Sequence, residues 1–224
     1  MSRMYQQTDK YLKKLKSKIR KEFNHYSTLS FDELNVIKVK KETKDTFNRL
    51  LDFNKNEYLK IVEQAKSYSK TLLLPEEISK INEKDLKAEE LLTAFLLAYN
   101  YVTGYLYDKE AERKRLRLSE EILTAREYHD RKMLNKILQK AANLWYTQSG
   151  QYAIDIEDRT CFTVLKKAGI KKVMWVAEKD DRTCKVCRGL DGQVFDIDEV
   201  PEKQHYSCRC TIQPYREEKE ESNV

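Results

Sequence analysis

Four of the chain's five cysteines and one of its three histidines fall in a single stretch near the C-terminus. The pattern is Cys184-x-x-Cys187, then His205-x-x-Cys208-x-Cys210. Thiolate sulfur and imidazole nitrogen are the donors that zinc takes in a tetrahedral shell, and structural sites use four of them. C-x-x-C is a spacing at which one tight turn presents two sulfurs to one ion. His205 and Cys208 are spaced as a second pair. Cys208 and Cys210 share a side if the chain there is extended, because side chains alternate along a strand. Five donors therefore compete for four places, and Cys208 and Cys210 are alternatives for the last.

Other chemistries fit these residues less well. Thioredoxin-like redox work calls for C-x-x-C beside a βαβ pattern, which is missing here. A catalytic zinc keeps an open position next to a base. Asp180, Asp181 and Asp191 answer to that by position alone. The segment from Lys171 to Tyr215 is too small to hold a shape on its own core, and metals commonly staple such segments. The expectation is a structural zinc on Cys184, Cys187, His205, Cys208 and Cys210. Arg182, Asp191 and Gly192 would shape the intervening loop. Cys161 opens a short predicted helix, where the dipole could favour a thiolate, but a buried structural thiol is the better reading. His25 and His129 read as surface residues. No Gly-rich phosphate loop, G-x-S-x-G or paired-carboxylate motif occurs, so no enzyme is expected.

The elements that must position this cluster are mostly helical. Of 224 residues, 36% are charged and 40% hydrophobic, which suits long amphipathic helices better than one compact globule. Leu12, Leu15, Ile19, Phe23 and Tyr26 recur at helical spacing opposite a lysine-rich face. Ser30 and Glu33 read as the capping box of the next helix, which runs unbroken to about Leu74. Pro75 ends it or begins another. Residues 91–107 are the most apolar run. Thr93, Asn100, Thr103 and Gly104 interrupt it, so a buried helix is expected rather than a membrane span. A helix then extends from Asp108 to about Trp145, Ser149-Gly150 breaks the pattern, and a short helix follows from Asp158 to Ala168, capped by Gly169. Val173–Ala177 reads as a strand. Asp191-Gly192 reads as a hairpin turn leading into a second strand at Val194-Phe195. Cys210-Thr211-Ile212 is a third.

The fold class expected is therefore mainly α: long amphipathic helices followed by a small C-terminal α+β module with a zinc-ribbon-like site. Residues 1–168 form the helical body, 169–215 the Cys/His-rich module and 216–224 an acidic tail. Net charge is +6. The N-terminal arm (Arg3, Lys10, Lys13, Lys14, Lys16, Lys18, Arg20, Lys21) is basic: a solvated helix face is the plainer and preferred reading, and a footprint for DNA or another polyanion is the alternative. The start lacks an apolar secretory segment, and clustered thiols in a reducing cytosol favour metal over disulfide.

The stretch from Asp181-Arg182-Thr183-Cys184 through Leu190-Asp191-Gly192-Gln193-Val194-Phe195 to His205-Tyr206-Ser207-Cys208-Arg209-Cys210 resembles the signature of the phage head morphogenesis family, the Mu F-like minor head proteins. Ala168–Trp175 resembles the strand that leads into it, and the resemblance covers about residues 155–213. Pro201 lies farther from His205 than in the family pattern, and Tyr206-Ser207 replaces the common Pro-Asn. Some relatives lack part of the cysteine set, whereas this chain carries all of it. The resemblance implies a non-enzymatic minor structural protein of a tailed-phage head. It would be found in the virion and, during assembly, in the host cytoplasm. Its partners would be the portal protein and capsid or scaffold components, in head assembly, DNA packaging or DNA delivery. A zinc-stapled nucleic-acid-binding regulator is the alternative, and it predicts tight, salt-sensitive DNA binding.

Overall fold

The computed structural model describes residues 4–103, 107–179, 183–203, 205 and 207–217. Arg3, residues 104–106, Asp180, Asp181, Arg182, Tyr206 and the tail carboxylates Glu218, Glu220 and Glu221 lie outside them. The described chain is mainly helical, with a small three-stranded antiparallel sheet at its C-terminal end.

Helix α1 (Gln6–Thr28) turns its apolar stripe inward, burying Tyr11, Leu15, Ile19, Phe23 and Tyr26. The basic N-terminal segment is thus packed along its length against two other helices and does not hang free. Helix α2 (Val36–Lys70) begins later than the sequence predicts. Ser30 and Glu33 do bond reciprocally, Ser30 N–H to Glu33 Oε2 at 2.8 Å and Glu33 N–H to Ser30 Oγ at 3.3 Å. The box closes only one turn, because the chain bends to bury Leu34 completely. Asn35 then caps α2, its Oδ1 accepting from Lys38 N–H at 2.9 Å. Pro75 opens the four-residue α3 (Pro75–Ile78). A 3-10 turn (Glu83–Leu86) leads into α4 (Ala88–Thr103), which is the apolar run. No described helix is long and apolar enough to cross a membrane.

Two predicted boundaries in the second half are wrong. The helix expected from Asp108 to Trp145 is broken into α5 (Tyr107–Glu127) and α6 (Arg131–Lys167). His129 adopts a left-handed backbone (φ 48°), Asp130 N–H returns to the Ala125 carbonyl, and Asp130 Oδ1 caps Met133 N–H at 2.9 Å. One helix thus stops and the next starts without glycine or proline. Conversely, Ser149-Gly150 breaks nothing, since α6 runs straight through it. A lone helical glycine costs about 1 kcal/mol against alanine, and here the lack of a side chain is used. A Cβ on Gly150 would lie 3.0 Å from Leu12 Cδ2 of α1, so the glycine lets the two helices approach. Beside it a buried polar chain ties three helices together. Tyr11 donates to Asn54 (2.9 Å), Asn54 donates to Ser149 Oγ (2.9 Å), and Tyr58 donates to the Ser149 carbonyl (3.0 Å).

The sheet has strand order β2-β1-β3, with β1 (Lys172–Val176) central and antiparallel to β2 (Val194–Asp196) and β3 (Thr211–Pro214). Asp191-Gly192 is not a two-residue hairpin. Helix α7 (Lys185–Leu190) intervenes between β1 and β2, Asp191 ends it, and Gly192 (φ 78°) turns the chain into β2. On one side of the sheet, Val173 and Ile197 join a core with Met4, Tyr5, Leu86, Ile154, Val164 and Leu165 of the helical part. Farther along the same face of β1, Trp175 and Ala177 cover the cysteines.

Candidate metal centre

The C-x-x-C pair is carried by the start of α7. Cys184 is the residue before the helix, and its sulfur accepts from the Cys187 N–H at 3.4 Å. That N–H holds the Cys184 thiol below the usual thiol range. Cys187, one turn on, is fully buried under Trp175. His205, Cys208 and Cys210 come from the segment before β3, and Cys208 and Cys210 are both buried. Asp191 fastens the frame, its Oδ1 accepting from Ala177 N–H at 2.9 Å, while Gly192 N–H donates to the Trp175 carbonyl at 2.9 Å.

These elements bring all five predicted donors together around Cys187. The ligand atoms of Cys184, Cys187 and His205 lie within 4.8 Å of one another, and so do those of Cys187, Cys208 and Cys210. Cys187 Sγ stands 3.5 Å from His205 Nε2 and 3.7 Å from Cys208 Sγ. A tetrahedral ion with metal–sulfur bonds of about 2.3 Å and metal–nitrogen bonds of about 2.0–2.1 Å sets its ligand atoms ~3.5 Å (S to N) and ~3.8 Å (S to S) apart. The donor types and the two distances from Cys187 match such a shell, while the two triads share Cys187 alone and no four of the described donors lie within 4.8 Å of one another. The cysteines remain thiols with no disulfide between them. Burial pushes the Cys187 thiol up to about 12. A hydrogen bond from Cys208 brings Cys210 down to about 5, helped against burial by the Glu178 N–H, and the same bond raises Cys208. A cation here would displace protons from buried thiols, so its affinity must fall with pH. Asp191 is engaged in the frame, and Asp180 and Asp181 lie outside the described residues. Cys161 does not open a helix. It sits deep within α6, where burial pushes its thiol up to about 12, which marks an inert core thiol.

A polar network behind the cysteines was not foreseen from the sequence. The Tyr5 hydroxyl donates to Asp158 Oδ1 (2.5 Å) and to the Cys210 carbonyl (3.2 Å). Lys203 Nζ reaches Asp158 (2.6 Å), the Tyr5 oxygen (2.6 Å) and the Cys208 carbonyl (3.3 Å). Arg209, between the last two cysteines, lies over the Tyr5 ring (4.8 Å) and pairs with Asp9 at 2.9 Å. Partners some 200 positions apart leave no local pattern. The cysteine-flanked arginine was the one available hint.

Residues 117–213, from within α5 to β3, match the family described as phage Mu protein F like protein. Over this segment the chain is similar to that family. The match starts well before the motif stretch and takes in all of α6, so the long helix and the cysteine module are parts of one family unit. The family is one of structural phage head morphogenesis proteins, and the match points to that class. No curated protein and no solved structure matches the chain.

Proposed function

We propose that this protein is a minor head protein of a tailed phage that docks on the portal through its helical body and assists head assembly, DNA packaging or DNA delivery. The observation that carries the reading is the family match over residues 117–213. Ile37 on α2 and Leu97 on α4 are 82% and 60% exposed, and Tyr128 after α5 is 74% exposed; in this reading the docked partner covers them.

In this reading the cysteine module is a staple and takes no part in chemistry. Cys184, Cys187, His205 and Cys208 hold a zinc ion, and Cys210 is the alternative to Cys208. The bound ion would supply folding free energy to a segment with little apolar core of its own. The test of the assembly role is co-purification with the protein encoded immediately upstream, together with mass spectrometry of purified virions. Binding to that protein and a few copies per virion are expected. Absence of the chain from virions overturns the reading.

A further inference from the structure

Helices α1 and α6 each contain a long interval without a carboxylate, in a chain that has 37 Asp and Glu residues. From Lys10 to Lys21 there is no Asp or Glu, and none occurs from Arg131 to Ile154. The fold lays these two intervals side by side. Thr8 donates to Glu157 at 2.5 Å, Leu12 abuts Gly150, and Arg131 reaches the Ser27 carbonyl at 3.3 Å. The helices are therefore antiparallel, with Arg20 level with Lys140, and Lys13 and Lys16 continuing the line beyond it. Lys18 and Lys14 lie on the other flank of α1, where they pair with Glu22 and with Glu57 of α2. Lys13, Lys16 and Arg20 lie on the flank next to α6, beside Lys132, Lys136 and Lys140. All six are exposed, and none forms an ion pair with a described residue.

We propose that this shared α1–α6 face docks the phosphate backbone of double-stranded DNA without reading its sequence. At 1.5 Å per helical residue the six cations form a strip of ~20 Å. That length of duplex carries about twelve phosphates, roughly half of them on one side. The residues between the cations exclude other occupants. Asn135, Gln139 and Asn143 are exposed and polar, so the strip lacks the buried aromatic or aliphatic anchors of a protein interface. It also lacks the row of exposed aromatic side chains on which single strands stack. The inference rests on charge and placement and not on portal docking, and either can fail without the other.

The test is fluorescence anisotropy of a random-sequence 30-base-pair duplex titrated with the full chain between 50 and 200 mM NaCl. A wild-type log–log salt slope near −5 is expected, at ~0.9 per phosphate contact. Lys132→Gln/Lys136→Gln/Lys140→Gln, and separately Lys13→Gln/Lys16→Gln/Arg20→Gln, should each flatten the slope by about 3 and weaken binding at 50 mM salt about tenfold or more. Lys41→Gln/Lys55→Gln/Lys84→Gln, which removes exposed lysines elsewhere, should leave the slope within about 1 of wild type. Circular dichroism melts confirm that each variant is folded. Failure of wild type to bind, equal losses in the control variant, or tighter binding of a single strand of the same length would each overturn the proposal.

Discussion

At the residue scale the cysteine cluster is where chemistry and folding meet. Cys187 is common to both groups of candidate ligands, so its loss should cost more than the loss of either outer cysteine. Purified wild-type protein is expected to carry one zinc per chain under reducing conditions, and Cys187→Ser none, by plasma emission spectrometry. Metal-free wild-type protein would sink the staple. Since the buried thiols must give up protons to the ion, zinc should be released as pH falls. Glu157 titrates at the same scale but with the opposite consequence. It is fully buried beneath α1, accepts from the Thr8 hydroxyl, and burial raises its carboxyl to about 8. A folded-state value above the unfolded one means that the folded form holds a proton the unfolded form releases between about pH 4.5 and 8. Stability from this site is therefore lost as pH rises through that window, by at most about 1.4 kcal/mol per pH unit. Asp155, raised to about 6 mainly by burial, adds a slope of the same sign. Urea unfolding of wild type and Glu157→Gln at pH 5 and pH 8 separates the two. The variant should gain on wild type at pH 8, and identical differences at both values would show that Glu157 is ionised in the fold.

At the scale of elements, what could be read beforehand depended on whether the cause was local. The apolar stripes of α1 and α2, the change from helical to strand period after Gly169, and the five-donor spacing are all local. The structure shows the helical body, the sheet and the metal-compatible cluster where those patterns lie. The end of α5 at His129 and the continuity of α6 through Gly150 are not local. The first turns on a left-handed backbone at His129, uncommon outside glycine, with the Phe31 ring of the α1–α2 connection 5.3 Å from the His129 ring. The second depends on Leu12, more than a hundred residues away. Gly150 gives a direct measurement of that dependence. Gly150→Ala gains helix propensity of about 1 kcal/mol and meets only the mobile end of Leu12, so the two effects nearly cancel. Gly150→Val adds branched bulk at the same contact and should destabilise by about 1–3 kcal/mol. A valine variant as stable as wild type, by thermal or urea unfolding, would mean that α1 and α6 do not pack this closely.

Across the whole molecule, the cysteine module and the helical body are joined by a clasp that runs through the N-terminal residues. Tyr5 is buried where α1, α6 and the segment before β3 meet, held by Asp158, Lys203, Arg209 and the Cys210 carbonyl. Met4 and Tyr5 also share their apolar core with Val173 and Ile197. Disorder in the module therefore has a defined route into the body. The segment that carries His205, Cys208 and Arg209 has little regular structure of its own, and without a metal it keeps only the sulfur–sulfur contacts and this clasp. Stripping zinc with a chelator should raise amide exchange in β1, α7 and residues 194–214, and also in the first turns of α1. The parts of α2 and α6 that carry Tyr58, Ile61 and Trp145 pack in a separate cluster and should keep their protection, because local openings follow contiguous packing. Tyr5→Ala should uncouple the two, so that chelation exposes the module while α1 no longer responds. Loss of protection everywhere on chelation would instead make the zinc a requirement for the entire fold. No change in α1 of the wild type would mean that the clasp transmits nothing.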